Sequence, residues 1–401
     1  MQRSKYIKIL SERLSEERKF IEVLVGARQV GKTTIVSQFL STFEKPYIWE
    51  SADDVSFSPQ VWLEGIWQRA RMLFNSSKSE VVLCIDEIQK VPQWSETVKK
   101  LWDEDTKNNR NIKVVLLGSS RLLLTTGLSD SLQGRYELIY VTHWSYQEMK
   151  EAFDYTLDEY IYYGGFPGPA KITKNEKRWK NYIRDSIVEP SISKDILFST
   201  KITKPALLKQ LFELGSYYSA QVLSYNAMLG LLTDAGNTTT LAGYLNLLNQ
   251  CCMMTGLNKY SGSEEKRKAS SPKLQVYNNA FLALYSQYSF KEAKESPDLW
   301  GRFVESTVGM HLVNSSIEND FVPYYWRDGN YEVDYIIQKG KSICAFEVKS
   351  GLRITNKGID VFRNRYPQSK IFVISSSTDT SGCIRLEDFL STLPSDFLWT
   401  Y

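Results

Sequence analysis

The stretch Gly26-Ala27-Arg28-Gln29-Val30-Gly31-Lys32-Thr33 spells G-x-x-x-x-G-K-T, and no other part of the chain restricts its fold as tightly. An apolar run over 20–25 precedes it, and an amphipathic pattern through Ile35, Val36, Phe39 and Leu40 follows. A strand turning through a glycine-rich loop into a helix is the context that a phosphate-binding loop requires. The glycines let successive backbone N–H groups wrap a polyphosphate, and the helix N-terminus adds a positive partial charge. Lys32 is expected to reach the β- and γ-phosphates and the Thr33 hydroxyl to hold Mg²⁺. The nucleotide contacts are therefore expected over the whole loop from Gly26 through Thr34.

A second signal stands about fifty residues on. Val81-Val82-Leu83-Cys84-Ile85 is continuously apolar, as a strand buried on both faces of a parallel sheet should be, and it ends in Asp86-Glu87. Asp86 is expected to hold the Mg²⁺ hydration shell and Glu87 to polarise the attacking water. A third strand pattern, 112–117, ends in Gly118-Ser119-Ser120-Arg121. Ser119 and Ser120 are both candidates for sensing the γ-phosphate or orienting the water. Arg135, in Ser131-Leu132-Gln133-Gly134-Arg135, is a candidate arginine finger, in cis or across a subunit boundary. An inter-element ion pair is an equal alternative for it.

The 401 residues leave room for two or three domains with sizeable cores. A net charge of +3 and a pI near 8.3 give no global electrostatic argument for nucleic acid. The five cysteines lack zinc spacing and read as reduced thiols of a cytoplasmic protein. With only His143 and His311, a histidine-rich metal site or histidine triad is excluded. No signal peptide or membrane-spanning apolar run is evident, so no membrane partner is expected.

Alternating strands and amphipathic helices from 20 to about 150, after a short leading helix within 1–19, predict an α/β domain with a helix-wrapped parallel sheet. An extra strand near Tyr47-Ile48-Trp49 and a helix near 60–74 fit between loop and acid pair. Residues 151–258 read as mostly helical, with a turn at Gly164-Gly165-Phe166-Pro167-Gly168-Pro169 and a long helix over roughly 175–198. Two helices joined by a short turn, then strands near 250–257 and 274–277, suggest a winged helix whose wing holds Lys266-Arg267-Lys268.

Residues 291–401 predict an α-β-β-β-α-β succession: a helix over 300–313, strands over 321–326, 331–337 and 342–348, a helix near 355–365 and a strand over 371–374. Asp334 falls on the second strand and Glu347-Val348-Lys349 on the third, with period-two alternation placing Glu347 and Lys349 on one face. This pattern resembles that of PD-(D/E)xK nucleases. There, carboxylates hold Mg²⁺ or Mn²⁺ against a phosphodiester while a lysine orients the water. Glu305, on the preceding helix, is a candidate further carboxylate. A degenerate core that no longer cuts is the competing reading.

The two nucleotide motifs, Asp86-Glu87-Ile88-Gln89 included, stand in order with Ser131-Leu132-Gln133-Gly134-Arg135, Gly164-Gly165-Phe166-Pro167, Glu332-Val333-Asp334 and Glu347-Val348-Lys349-Ser350. In that order they resemble the bacterial and archaeal AAA-type ATPases that carry a C-terminal domain of uncharacterised function. The resemblance runs over nearly the whole chain. It implies an AAA+ ATPase module over 1–150, a helical and winged-helix-like middle over 151–290, and a restriction-endonuclease-like domain over 291–401. Ala27 replaces a common proline of that family, and Tyr277-Asn278-Asn279 stands where an aspartate is usual. The expected activity is Mg²⁺-dependent ATP hydrolysis that repositions the terminal domain on DNA. The alternative is a nucleotide-dependent switch for a protein partner with an inactive terminal domain. Many ATPases of this kind complete their sites across subunits, so a homo-oligomer is also expected.

Overall fold

Strands β1 (Ile21–Gly26), β3 (Val81–Asp86) and β4 (Ile112–Gly118) are buried along their whole length, because both faces of their sheet are covered. The computed structural model describes residues 3–55, 58–118, 128, 131–197, 202–261, 270–350, 357–376 and 382–399. With β2 (Tyr47–Ser51) and β5 (Tyr136–Val141) these strands form a parallel sheet of order β2-β3-β4-β1-β5. Side-chain alternation sorts the apolar runs. Val23, Val25, Leu83, Ile85 and Leu116 face Trp67 of α3 (Pro59–Ser77) and Trp94 and Trp102 of α4 (Trp94–Lys107). Leu24, Val82, Cys84, Val115 and Leu117 face Tyr6 and Leu10 of α1 (Ser4–Ser15) and Ile35 and Phe39 of α2 (Lys32–Ser41). Each such side chain contributes about 1.5–3 kcal/mol on burial.

Charged groups inside this unit are paired. Asp105, fully buried, accepts from Trp67 Nε1 (2.7 Å), Arg71 Nε (2.7 Å) and Arg110 Nη1 (3.2 Å). Lys113, on β4, donates to Leu14 O at 2.7 Å and to Glu80 Oε2 at 3.0 Å.

By internal contacts the chain divides into two units, and the middle and C-terminal stretches share the second. The first unit runs from Met1 to Val141 and takes back a return segment that begins at Ser193. The helix expected over 175–198 starts as Glu176–Tyr182 and continues through two π-helical stretches, Ile183–Val188 and Ser191–Ile196.

In the second unit, the Gly164-Gly165 corner is locked to Asn278. Gly164 has φ 69°, and any Cβ there would collide with the Asn278 side chain, whose Oδ1 accepts from Gly165 N at 3.1 Å. Neighbouring Asn279 is fully buried and donates to Ile161 O, Phe303 O and Thr307 Oγ1. The two asparagines are scaffold residues. Both histidines are too: His143 Nε2 lies 3.0 Å from Cys252 O, and His311 Nε2 lies 3.0 Å from Thr392 O.

Helices Pro205–Tyr217, Tyr225–Leu231 and Thr238–Gln250 lead into an antiparallel hairpin of β6 (Met254–Leu257) and β7 (Lys273–Val276). Lys266, Arg267 and Lys268 lie outside the described residues.

Helix Pro297–Glu318 then precedes a five-stranded sheet. Strands β8 (Val322–Asp328), β9 (Tyr331–Lys339) and β10 (Ser342–Lys349) are antiparallel neighbours. Helix Lys357–Arg365 connects to β11 (Lys370–Ser375), which runs parallel to β10 and to the short β12 (Ile384–Arg385). Phe362 packs with Trp326, Val333, Ile336 and Ala345 on one face. Phe346, on the other, meets the rings of Phe372, Phe389 and Phe397.

Candidate functional site

The loop after β1 is shaped by close backbone approach. A Cβ on Gly26 would collide with the Val141 carbonyl of β5, so only glycine lets the two strands end side by side. Gln29 (φ 58°) and Gly31 (φ 95°) then take left-handed conformations, curling the backbone before α2 begins at Lys32. Such a curl turns successive N–H groups toward one concavity, an anion-binding nest. Arg3 steadies it from α1's N-terminal side by donating to Val30 O at 3.1 Å.

Lys32 lies folded across this concavity, its Nζ donating to Gly26 O (3.0 Å) and Ala27 O (2.8 Å). Only 7% of the residue is exposed. Burial pulls its pKa down to about 8; Glu87, Asp86 and Asp195 oppose that shift and Arg28 adds to it. Thr33 Oγ1 donates to Asp86 Oδ2 at 2.8 Å, joining the loop to the end of β3. A hydroxyl and a carboxylate beside a phosphate loop are hard oxygen donors of the kind that Mg²⁺ takes. The pair therefore fits that ion.

Glu87 leaves the strand with φ 51°, and its N–H donates to Asp86 Oδ1 at 2.8 Å. Gln89 Nε2 donates to Glu87 Oε2 at 2.5 Å and fixes the carboxylate. Gln89 stands in the motif, but spacing alone assigned it no task.

Arg28 makes a two-pronged ion pair with Asp195, with Nε and Nη2 each 2.6 Å from a carboxylate oxygen. Asp195 had no sequence signal, being 167 residues away.

Arg135 stands elsewhere. It forks onto Asp103 of α4 (Nε–Oδ1 2.8 Å, Nη2–Oδ2 3.0 Å), and its carbonyl accepts from Ile21 N at 2.8 Å, where β1 begins. The loop leaves β1 at the other end, at Gly26, five residues on from Ile21, which is roughly 16 Å at ~3.3 Å per residue. Within its own chain, then, Arg135 is at the far edge of the sheet from Lys32. Ser119 and Ser120 lie outside the described residues.

The C-terminal candidates fall into two groups. Asp334 and Glu347 are near neighbours across β9 and β10, next to the paired residues Tyr335 and Phe346. Past that pair the ladder gives way to a side chain: Val348 N donates to Asp334 Oδ2 at 2.7 Å. Glu347 Oε1 accepts from Lys349 Nζ, on its own strand, at 2.5 Å. Glu305 is tied to a residue that the sequence did not single out. Lys273 of β7, fully buried, places Nζ 2.5 Å from Glu305 Oε1, 3.0 Å from Asp334 O, 3.8 Å from Glu332 Oε1 and 4.0 Å from Asp334 Oδ1. Its ammonium also sits 4.5 Å from the centre of the Tyr335 ring. Burial alone would lower its pKa, but Glu305, Asp334 and Glu332 outweigh it and raise it. Burial raises that of Glu305 against the pull of Lys273.

An ammonium thus lies among the carboxylates of Glu305, Glu332 and Asp334. Among the described residues no three histidine, cysteine, aspartate or glutamate side chains are gathered as for a metal ion. Glu305 lines a cleft of about 320 Å³ with Val348 and Ser350, residues that alternate along the strand with Glu347 and Lys349.

Comparison with known proteins agrees with the N-terminal geometry. Residues 18–150 match the AAA domain model, and they span the five-stranded parallel sheet. Residues 154–291 and 300–388 match two domains of unknown function, DUF8612 and DUF4143. An uncharacterized protein of Haemophilus influenzae is 24% identical over 261 residues, covering 60% of this chain. The chain spans 63% of that relative's length. The uncharacterized protein MJ1544 of Methanocaldococcus jannaschii is 23% identical over 358 residues, covering 84% of this chain and 76% of its own. Among solved structures, the Walker-type ATPase PABY2304 of Pyrococcus abyssi is similar at TM-score 0.49 and 13% identity, over 71% of this chain and 95% of that one. The Thermotoga maritima RuvB Holliday junction branch migration motor is similar at TM-score 0.34 and 16% identity, over 64% and 90%. No helix among the described residues is long and apolar enough to cross a membrane.

Proposed function

We propose that the chain binds Mg²⁺ and ATP at the loop after β1 and hydrolyses the terminal phosphate. The observation carrying this reading is the 2.8 Å contact between Thr33 Oγ1 and Asp86 Oδ2, which joins the two halves of a cation site at the mouth of an anion-binding curl. Lys32 would release the carbonyls of Gly26 and Ala27 and take phosphate oxygens instead. Thr33 and Asp86 would hold Mg²⁺, which when bound neutralises phosphate charge. Glu87, fixed by Gln89, is oriented to position a water and accept its proton. Arg135 we read as an ion pair that ties the start of β5 to α4. The test is Mg²⁺-dependent phosphate release from ATP by the wild type, Lys32→Ala and Glu87→Gln. A wild type that neither binds nor turns over ATP ends this reading.

For the C-terminal domain the reading best supported is an interaction fold that does not cleave. The buried Lys273 ammonium supports it, because it gives Glu305 and Asp334 a permanent counterion from within the chain. The helix–turn–helix and hairpin before it are read as winged-helix-like, a platform for a protein or nucleic-acid partner, and ATP turnover would regulate that engagement. One observation favours the nuclease reading: Asp334 and Glu347 each directly flank Tyr335–Phe346, the last ladder pair of β9 and β10. Incubating wild type and Lys349→Ala with single-stranded, duplex and branched DNA, in Mg²⁺ or Mn²⁺ with and without ATP, decides between them. No cleavage is expected. Cutting that disappears in Lys349→Ala would restore the nuclease.

A further inference from the structure

The phosphate loop carries a charge pair that phosphate binding does not require. Arg28, third in the loop, spends both faces of its guanidinium fork on Asp195. Bidentate Arg–carboxylate pairs are among the strongest and most directional contacts available to a side chain. Asp195 is only 4% exposed, and burial raises its pKa while Arg28 lowers it. The carboxylate also acts on Lys32 and Lys90, the first being the ammonium that would meet the phosphates. Asp195 thus places a negative charge within electrostatic reach of the position that a nucleotide's phosphates would fill.

The segment bearing Asp195 is unusual in its backbone. It ends a helix that passes through two π-helical stretches, Ile183–Val188 and Ser191–Ile196. Such i→i+5 turns are rare, occur mostly as single turns within α-helices, and are frequent at functional sites. The chain returns to the N-terminal unit for this segment alone after leaving it at Val141.

We propose that Asp195 is the resident counterion of the nucleotide-free loop, and that a nucleoside di- or triphosphate displaces it by taking Arg28. Resting on the nucleotide-binding reading above, this adds a nucleotide-sensing residue to that site. Asp195 acts through Arg28 and is a positioning residue. In the free protein the fork of Arg28 is held on Asp195 and the return segment is pinned. Incoming phosphates attract Arg28 and repel the buried carboxylate. Both effects act in the same direction, so residues 193–197 are released as the loop fills. The exchange also sets a threshold for binding, because Asp195 competes with phosphate for one guanidinium.

Full-length protein titrated with Mg·ADP and with Mg²⁺ and a non-hydrolysable ATP analogue tests the proposal. Wild type, Asp195→Asn and Lys32→Ala are compared, and amide hydrogen exchange is read over residues 183–197. Asp195→Asn should bind both nucleotides roughly tenfold more tightly, an ordinary size for coupling between two sites. Exchange over 183–197 should rise in the wild type when nucleotide saturates, and should already be high in free Asp195→Asn. A merely structural ion pair predicts the opposite sign, weaker binding in the variant. The wild-type exchange needs no substitution, so it decides even where Asp195→Asn folds poorly. Wild-type binding lost in Lys32→Ala establishes the nucleotide site. Unchanged exchange over 183–197, or equal or weaker affinity in a folded Asp195→Asn, then overturns this proposal alone. A wild type that binds neither nucleotide removes both readings.

Discussion

Lys273 Nζ stands 2.5 Å from Glu305 Oε1 and 4.0 Å from Asp334 Oδ1, so the β6–β7 hairpin supplies the cation for a carboxylate group built on helix Pro297–Glu318 and β9. Two elements far apart in sequence are thereby cross-linked by charge inside one unit. The arrangement costs desolvation of every member, and it persists because each charge has a partner.

Removing that cation leaves Glu305 and Asp334 uncompensated. Lys273→Met is expected to destabilise the second unit by about 3–5 kcal/mol, the usual penalty for breaking a buried pair from one side. Glu305→Gln added to Lys273→Met should recover part of the loss. The pH dependence follows from the raised pKa of Glu305. An acid whose folded pKa lies above its unfolded one stabilises the fold most below the unfolded value and loses that contribution as pH rises through the folded one. The Lys273→Met deficit should therefore be larger at pH 8 than at pH 5. Urea denaturation at both pH values checks it, and equal deficits would show that Glu305 is not the strained partner.

If the ammonium is the only cation this group holds, Mn²⁺ has one place to bind. Paramagnetic titration with ADP present should give one ion per chain, lost in Asp86→Ala and untouched by Asp334→Ala. A second ion that disappears in Asp334→Ala would mean that Lys273 yields to metal.

The core of the N-terminal unit was legible because burial on both faces writes a strand as an unbroken apolar run, and β1, β3 and β4 are such runs. The loop was legible for a related reason. Gly26, Lys32 and Thr33 are fixed by local geometry at short spacing. What escaped is what depends on distant partners. Asp195 meets Arg28 across 167 residues, and Lys273 meets Asp334 across 61, and neither acid nor base has a local periodicity to betray it. The π-helical stretches keep a helical apolar pattern, so they read as one continuous helix. The same limit applied to Arg135. Its motif gave a residue type suited to phosphate, and only the Asp103 contact and the position beside Ile21 show which end of the sheet it occupies.

Arg135→Ala should then leave turnover within about twofold of wild type and lower stability by roughly 0.2–1 kcal/mol, the range for a part-exposed ion pair. Steady-state ATP hydrolysis across protein concentrations checks it. A large drop in turnover, growing with concentration, would return Arg135 to a phosphate site completed by a second copy.

Glu87 and Gln89 separate chemistry from orientation. Glu87→Gln should keep nucleotide binding and slow hydrolysis by roughly 10²-fold or more, the scale of a positioned base. Gln89→Ala should bind nucleotide equally and lose less turnover, because the carboxylate survives but its 2.5 Å tether does not. Normal hydrolysis by Glu87→Gln would remove Glu87 from the water-activating role.

Lys32 gives the pH dependence of binding itself. Burial holds its pKa near 8 in the free loop, so the ammonium is partly neutral just above that pH. Phosphate oxygens favour the charged form and must raise the pKa on binding. Nucleotide affinity is therefore greatest below pH 8 and weakens as pH rises through it, by at most about tenfold per unit, with a proton taken up on binding. The free protein shows the opposite trend. A lysine whose folded pKa is depressed binds fewer protons than the unfolded chain above pH 8, so its contribution to stability improves from there toward 10.5. The second phosphate ionisation, near pH 6, lies outside this window. Calorimetric titration of Mg·ADP at pH 7.5 and about 9, in buffers of different ionisation enthalpy, reads both quantities. Flat affinity with no proton uptake would mean that Lys32 does not exchange its two carbonyl partners for phosphate.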